Sequence, residues 1–99
     1  EKAVSLMVPL LESQMGYVRR SAVTSLGLIA PRGDPRVIQG IMRLLQDREQ
    51  YVRLECCEAL PKVSTKGLPA AVEALAVLTS DADEKIRSLA ISGLAHIAG

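Results

Sequence analysis

The fold class this sequence predicts is all-α, a right-handed α-solenoid of three stacked antiparallel helix pairs, and three observations predict it. The phrases "YVRRSAVTSLGLIA" (17–30), "YVRLECCEALPKVS" (51–64) and "KIRSLAISGLAHIA" (85–98) follow one another at an interval of 34 residues with no insertion. Each carries apolar residues at i, i+4, i+8 and i+11, as in Val18, Ala22, Leu26 and Ile29, which is one stripe of an α-helix. The composition is that of a helix former: 48% apolar, with no Trp or Phe, so that Leu, Ile, Val, Ala and Met supply the bulk.

The elements follow in order. Each phrase is preceded by a second apolar-periodic segment, and "AVSLMVPLL", "VIQGIMRLL" and "AAVEALAVL" align without gaps. Asp34-Pro35 offers an N-cap oxygen followed by a proline at the first helical position, and Pro69 recurs in register with Pro35. Gly33 and Gly67 stand just before, where a chain leaving one helix turns with positive φ. The chain therefore reads as one domain, residues 1–99, of three repeats at about 1–32, 33–66 and 67–99. Pro9 and Pro61 fall inside helices and should kink them. The columns Val18/Val52/Ile86, Ala22/Cys56/Ala90, Leu26/Leu60/Leu94 and Ile29/Val63/Ile97 are the expected core, since no pair buries its stripe alone.

A 34-residue helical unit is also the length of a tetratricopeptide repeat, but the interleaved large aromatics of that pattern are missing. The chain instead resembles the HEAT family, in its short form known from phycobilin-lyase-like repeats. The likeness rests on an Asp in the turn between paired helices, followed six residues later by an Arg within Val/Ile-Arg-x-x-Ala: Asp47 with "YVRLEC" and Asp81 with "KIRSLA". The first copy has Ser13 in the Asp position but keeps "VRRSA". The resemblance implies a ladder of ion pairs from repeat to repeat, built from Asp47, Asp81, Arg19, Arg53 and Arg87. It also implies that the second helix of each pair lines a concave surface.

Several functional classes lack their residues. The dinuclear-iron hydroxylases built on HEAT-like repeats need several His-Glu pairs, and this chain has one histidine, His96. There is no phosphate-cradling glycine loop, HExxH or zinc spacing. No enzyme activity, cofactor or metal is expected. Cys56 and Cys57 are adjacent, so a disulfide between them would be a strained ring, and two reduced thiols in a cytoplasmic or nuclear protein are expected. Cys56 reads as a small core residue, whereas Cys57, at the stripe's edge, is expected to be partly exposed. No apolar run approaches the roughly 18–20 residues that span a bilayer, and no leader opens the chain, so no membrane contact is expected.

On the second helices the face opposite the stripe stops repeating. It comprises Tyr17, Arg20, Thr24 and Leu28; Tyr51, Leu54, Glu58 and Lys62; and Lys85, Ser88, Ser92 and His96. Positions that fold the protein agree between copies, and positions that differ are free to meet a partner. Tyr51 beside Leu54, with Arg20, Glu58 and Lys62 around them, has the small apolar centre and polar rim of a protein-binding patch. A solvated helix face is the plain alternative. A nucleic-acid groove using Arg20, Arg32, Arg36 and Lys62 is the runner-up, but Glu55 and Glu58 interrupt it and the net charge is only +1. A tetrapyrrole-lyase subunit is implied by family analogy alone. Both ends look apolar: "AVSLMVPLL" nearly all round, and the last helix through Ile86, Leu89, Ala90, Ile91, Leu94 and Ile97. They point to a piece of a longer array or to self-association through the terminal helices. The expected function is a non-enzymatic scaffold that grips another protein along its concave face.

Overall fold

Two glycine turns divide the molecule. Gly33 and Gly67 adopt φ of 96° and 73°, the left-handed region in which a Cβ is costly, and each ends a helix pair and starts the next. The computed structural model describes residues 1–98. Its elements are α1 (Lys2–Met7), a 3-10 turn (Val8–Glu12), α2 (Gly16–Ile29), α3 (Pro35–Leu44), α4 (Gln50–Val63), α5 (Pro69–Leu78) and α6 (Glu84–Ile97). All are helical, three consecutive pairs in a helical-repeat solenoid, with principal extents of 33 × 27 × 17 Å.

Local chemistry sets these boundaries. Asp34 caps α3, accepting from the Arg36 N–H at 2.9 Å, and Pro35 follows where a missing N–H costs nothing. Pro69 opens α5 in the same way, although Leu68 in the cap position offers no side-chain oxygen. Pro9 sits in the 3-10 turn that takes over from α1 after Met7, so the first helix tightens around it. Pro61, by contrast, lies inside α4, which continues to Val63.

The second helices form one row, α2 against α4 and α4 against α6, with α3 and α5 packed on α4 and α6. Their stripes make the core: Val23, Leu26, Val52, Leu60, Val63, Ile86 and Ile97 are fully buried, joined by Ile41 and Leu75 from the first helices. Close approach is achieved with small residues. A Cβ built on Gly40 would lie 2.5 Å from Leu11 Cδ1, and one on Gly93 would lie 2.9 Å from Pro61 Cγ. Both glycines are therefore holes that receive a knob from the preceding pair.

One core column departs from the expectation. Val63 and Ile97 are buried but Ile29 is 46% exposed. Turns that precede the second and third pairs cover the first two, with Gly33 N–H donating to the Val63 carbonyl at 2.8 Å and Gly67 N–H to the Ile97 carbonyl at 2.6 Å. Among the described residues no turn covers Ile29 in that way.

The apolar character of the two ends also differs. In α6, Ile86, Ala90 and Ile97 are buried and Leu89 and Leu94 half-buried, because α4 and α5 use them; only Ile91, at 58%, is widely exposed. On α6 the expectation of an apolar end narrows to Ile91, while α5 adds Val77 at 74%. The first pair exposes more, with Leu6, Leu10, Leu28 and Ile29 all open to solvent.

Candidate functional site

The turn between paired helices is built alike three times. The side chains of Ser13, Asp47 and Asp81 accept from the N–H two residues on, at Met15, Glu49 and Asp83, over 3.2, 2.9 and 2.8 Å. Arg19, Arg53 and Arg87 then donate through Nη1 to the carbonyls of those same three residues, at 2.8, 2.6 and 2.8 Å. This contact within the repeat is the recurring one. The contact between repeats forms once: Arg19 grips Asp47 with two parallel bonds of 2.7 and 2.9 Å.

The implied ladder is accordingly corrected at its next rung. Arg53 makes no ion pair with Asp81 among the described residues, and the second and third pairs are joined instead by the Gln50 amide donating to the Asp83 carboxylate. Arg53 bonds the Asp47 carbonyl and Asp81 accepts from the Asp83 N–H, as Arg19 and Asp47 do with their own counterparts at the formed rung. At the formed rung, burial pushes the Asp47 carboxyl upward, but the Arg19 hydrogen bonds and charge and the Glu49 N–H outweigh it, leaving Asp47 below the usual carboxylate range.

On the far side of the second-helix row, every residue proposed for the binding face is exposed except Leu54, which is half-buried. The structure brings two groups of them together. The Arg20 guanidinium lies over the Tyr51 ring, 5.0 Å from its centroid, in a cation–π contact from α2 to α4. The Tyr51 hydroxyl reaches back to Gly16, where any side chain would collide with it. Tyr51 is thus seated from both sides. Gly16 was not singled out by sequence reasoning; the signal was a glycine in register with Gln50 and Glu84.

The second group edges a groove between α4 and α6. One stretch, of about 200 Å³, has Cys57, Pro61, Leu89 and Gly93 at its base and Glu58, Lys62, Ser92 and His96 on its sides. The adjoining stretch runs past Leu54, Glu55, Glu58, Lys85, Ser88 and Leu89. Tyr17 and Thr24 do not join either group; Tyr17 touches Met15, and Thr24 donates to its own helix at Arg20. Leu89 was missed as a groove residue because it reads as part of the apolar end of the last helix. Pro61, expected only to kink its helix, fills the Gly93 hole with its ring and lines the groove.

Cys57 is corrected as well, being 1% exposed. Burial pushes its thiol up to about 11, with Asp81 adding to the effect, and pushes Cys56 higher still. Both thiols stay protonated beyond the pH near 9.0 at which an ordinary one ionises. Above that pH the unfolded chain binds fewer protons than the folded one, so stability falls as pH rises. Urea midpoints measured between about pH 8 and about pH 10.5 should drop more steeply for the natural chain than for a Cys56→Ala, Cys57→Val variant. Parallel curves would show that the thiols do not contribute.

A family model for HEAT repeats matches residues 2–98. The chain belongs to the HEAT repeat family. No curated protein sequence matches it. HEAT repeats are typically protein-interaction scaffolds and generally non-enzymatic. In this HEAT chain no helix among the described residues is long and apolar enough to cross a membrane, and no group of three or more His, Cys, Asp or Glu could hold a metal ion.

Proposed function

We propose that this HEAT chain is a scaffold that binds another protein across the α4/α6 groove, with Tyr51 as its anchor. The observation that carries the reading is the seating of Tyr51 between Arg20 and Gly16, beside a groove floored by Leu89 and Pro61 and edged by charges of both signs. A large aromatic already held in one orientation loses little freedom on binding, and such residues dominate interface energies. The rim, with Glu58, Lys62 and Lys85, supplies register.

The groups invoked for a nucleic-acid groove are mostly committed elsewhere. Arg32 donates to the Pro61 and Ser64 carbonyls at the end of α4, at 3.1 and 2.8 Å, and Arg36 is paired with Asp34 and Glu1. Arg20 faces Tyr51. That leaves no continuous cationic stripe for a phosphate backbone.

The test is a pull-down from cell extract comparing the natural chain with a Tyr51→Ala, Glu58→Ala variant of matched Tm. A specific protein lost from the variant, and then binding it about tenfold or more weakly when purified, is the expected result. Recovery of the same proteins by both chains would defeat the reading.

A further inference from the structure

The groove between α4 and α6 carries charges in a fixed order. Four of its side chains, Glu55, Glu58, Lys62 and Lys85, form no ion pair among the described residues. Both carboxylates stand on α4 midway along the groove, and the ammonium groups stand near its two ends, Lys85 at the start of α6 and Lys62 at the end of α4. Glu55 is half-buried, so its charge has lost part of its water without gaining a partner. The walls are the second helices of adjacent pairs, and both lie within the described residues.

The columns that align the repeats also set distances along the groove, since Tyr51 is level with Lys85, Leu54 with Ser88, Glu58 with Ser92 and Lys62 with His96. Lys85 is therefore seven residues from the level of Glu58, about 10 Å along the axis, and Glu58 is four residues from Lys62, about 6 Å. On the floor, Leu89 and Gly93 come four and eight residues after Lys85. An occupant that complements this order presents an acid, an aliphatic group, a base beside a second aliphatic group, and an acid. An extended chain cannot do so from one face: at about 3.3 Å per residue its first acid and its base fall three residues apart and point to opposite sides. A helix can. Running along the groove with the same rise as its walls, it places positions i, i+4, i+7, i+8 and i+11 on a single stripe.

We infer that the occupant of this groove is an amphipathic helix of the partner protein whose stripe reads acid at i, aliphatic at i+4, base at i+7, aliphatic at i+8 and acid at i+11 from the Lys85 end, or the same order reversed. The inference rests on the groove being the protein-binding site. The base sits between Glu55 and Glu58, and the acids meet Lys85 and Lys62. The aliphatic groups cover Leu89 and the hollow of about 200 Å³ at Pro61 and Gly93.

Fluorescence anisotropy tests it with a labelled synthetic peptide of about 18 residues, alanine and glutamine apart from the five stripe residues Glu, Leu, Lys, Leu and Glu, made in both directions and measured at about 50 mM salt. One direction should bind with a Kd of about 100 μM or tighter. Glu58→Lys in the chain should weaken that binding about fivefold or more, and a peptide with glutamate in place of its lysine should recover it. Lys62→Glu, with lysine replacing the peptide acid that faces it, gives a second and independent swap. Both residues are exposed, so neither change should move Tm. The inference is overturned if neither peptide binds, if the swapped pairs do not recover binding, or if a peptide with proline at its centre binds as well as the parent. Loss of a protein from the Tyr51→Ala, Glu58→Ala pull-down without peptide binding removes the helix alone, whereas a pull-down that loses nothing defeats the reading beneath it.

Discussion

Asp47→Ala should lower the unfolding free energy by about 3 kcal/mol, read as a shift in urea midpoint at constant slope. The side chains of Asp47 and Arg19 are only 6% and 8% exposed, so deletion strands a guanidinium with one remaining partner, the Ser13 carbonyl. The figure is at the lower end for a broken buried pair because a hollow beside Gln14 and Arg48 lets water reach Arg19. Asp81→Ala is the internal control. It removes the same turn bond but no ion pair, so it should cost about 1 kcal/mol. Acid should act in the same direction. Because the folded Asp47 carboxyl lies below its ordinary value, the stability it supplies is present above that value and is lost as pH falls through the folded one. Equal losses in the two Asp variants would refute the single-rung picture.

Leu60→Ala should cost about 2–5 kcal/mol. Leu60 is fully buried in the middle helix of the row, with α2 on one side and α6 on the other, so neither neighbour can relax into the space left behind. Leu94, in the same column of the third pair, is half-buried and has no further helix beyond it among the described residues, so Leu94→Ala should fall below Leu60→Ala. Glu58→Ala, exposed on the groove, should change stability by about 0.5 kcal/mol or less. Thermal unfolding of the three variants side by side ranks them, and any other order would contradict the middle helix as the centre of the core.

How much of this could be read beforehand depends on whether a residue's fate is decided within its own repeat. The glycine turns, the Asp34-Pro35 start and the buried columns are local or periodic properties, and they were legible as such. Ile29 departs because Val63 and Ile97 are covered by the turn that opens their own pair, at Gly33 and Gly67, and no stripe encodes that contact. The second ladder rung is absent although Arg53 and Asp81 hold the same backbone partners as Arg19 and Asp47, so neither spacing nor the turn pattern distinguishes the two rungs. At the candidate site, exposure followed from the helix period, whereas Tyr51's seat required knowing that position 16 of one repeat lies under position 51 of the next. Cys57 and Pro61 sit at the base of the groove because two helices meet there, and neither helix alone shows it.

The forward-reaching hydrogen bonds of Gly33 and Gly67 bear on how the chain comes off the ribosome. Each turn's N–H is satisfied by a carbonyl thirty residues further along, at Val63 and Ile97. A nascent chain that has just formed its first two helices therefore has the Gly33 N–H bonded to water, without its native carbonyl, until α4 has emerged in full. Each repeat therefore closes along a seam that joins the turn opening it to the end of its second helix, and that seam closes only when the helix is complete. A stall within α4 would leave that seam open, with the core side of α2 still lacking its neighbour.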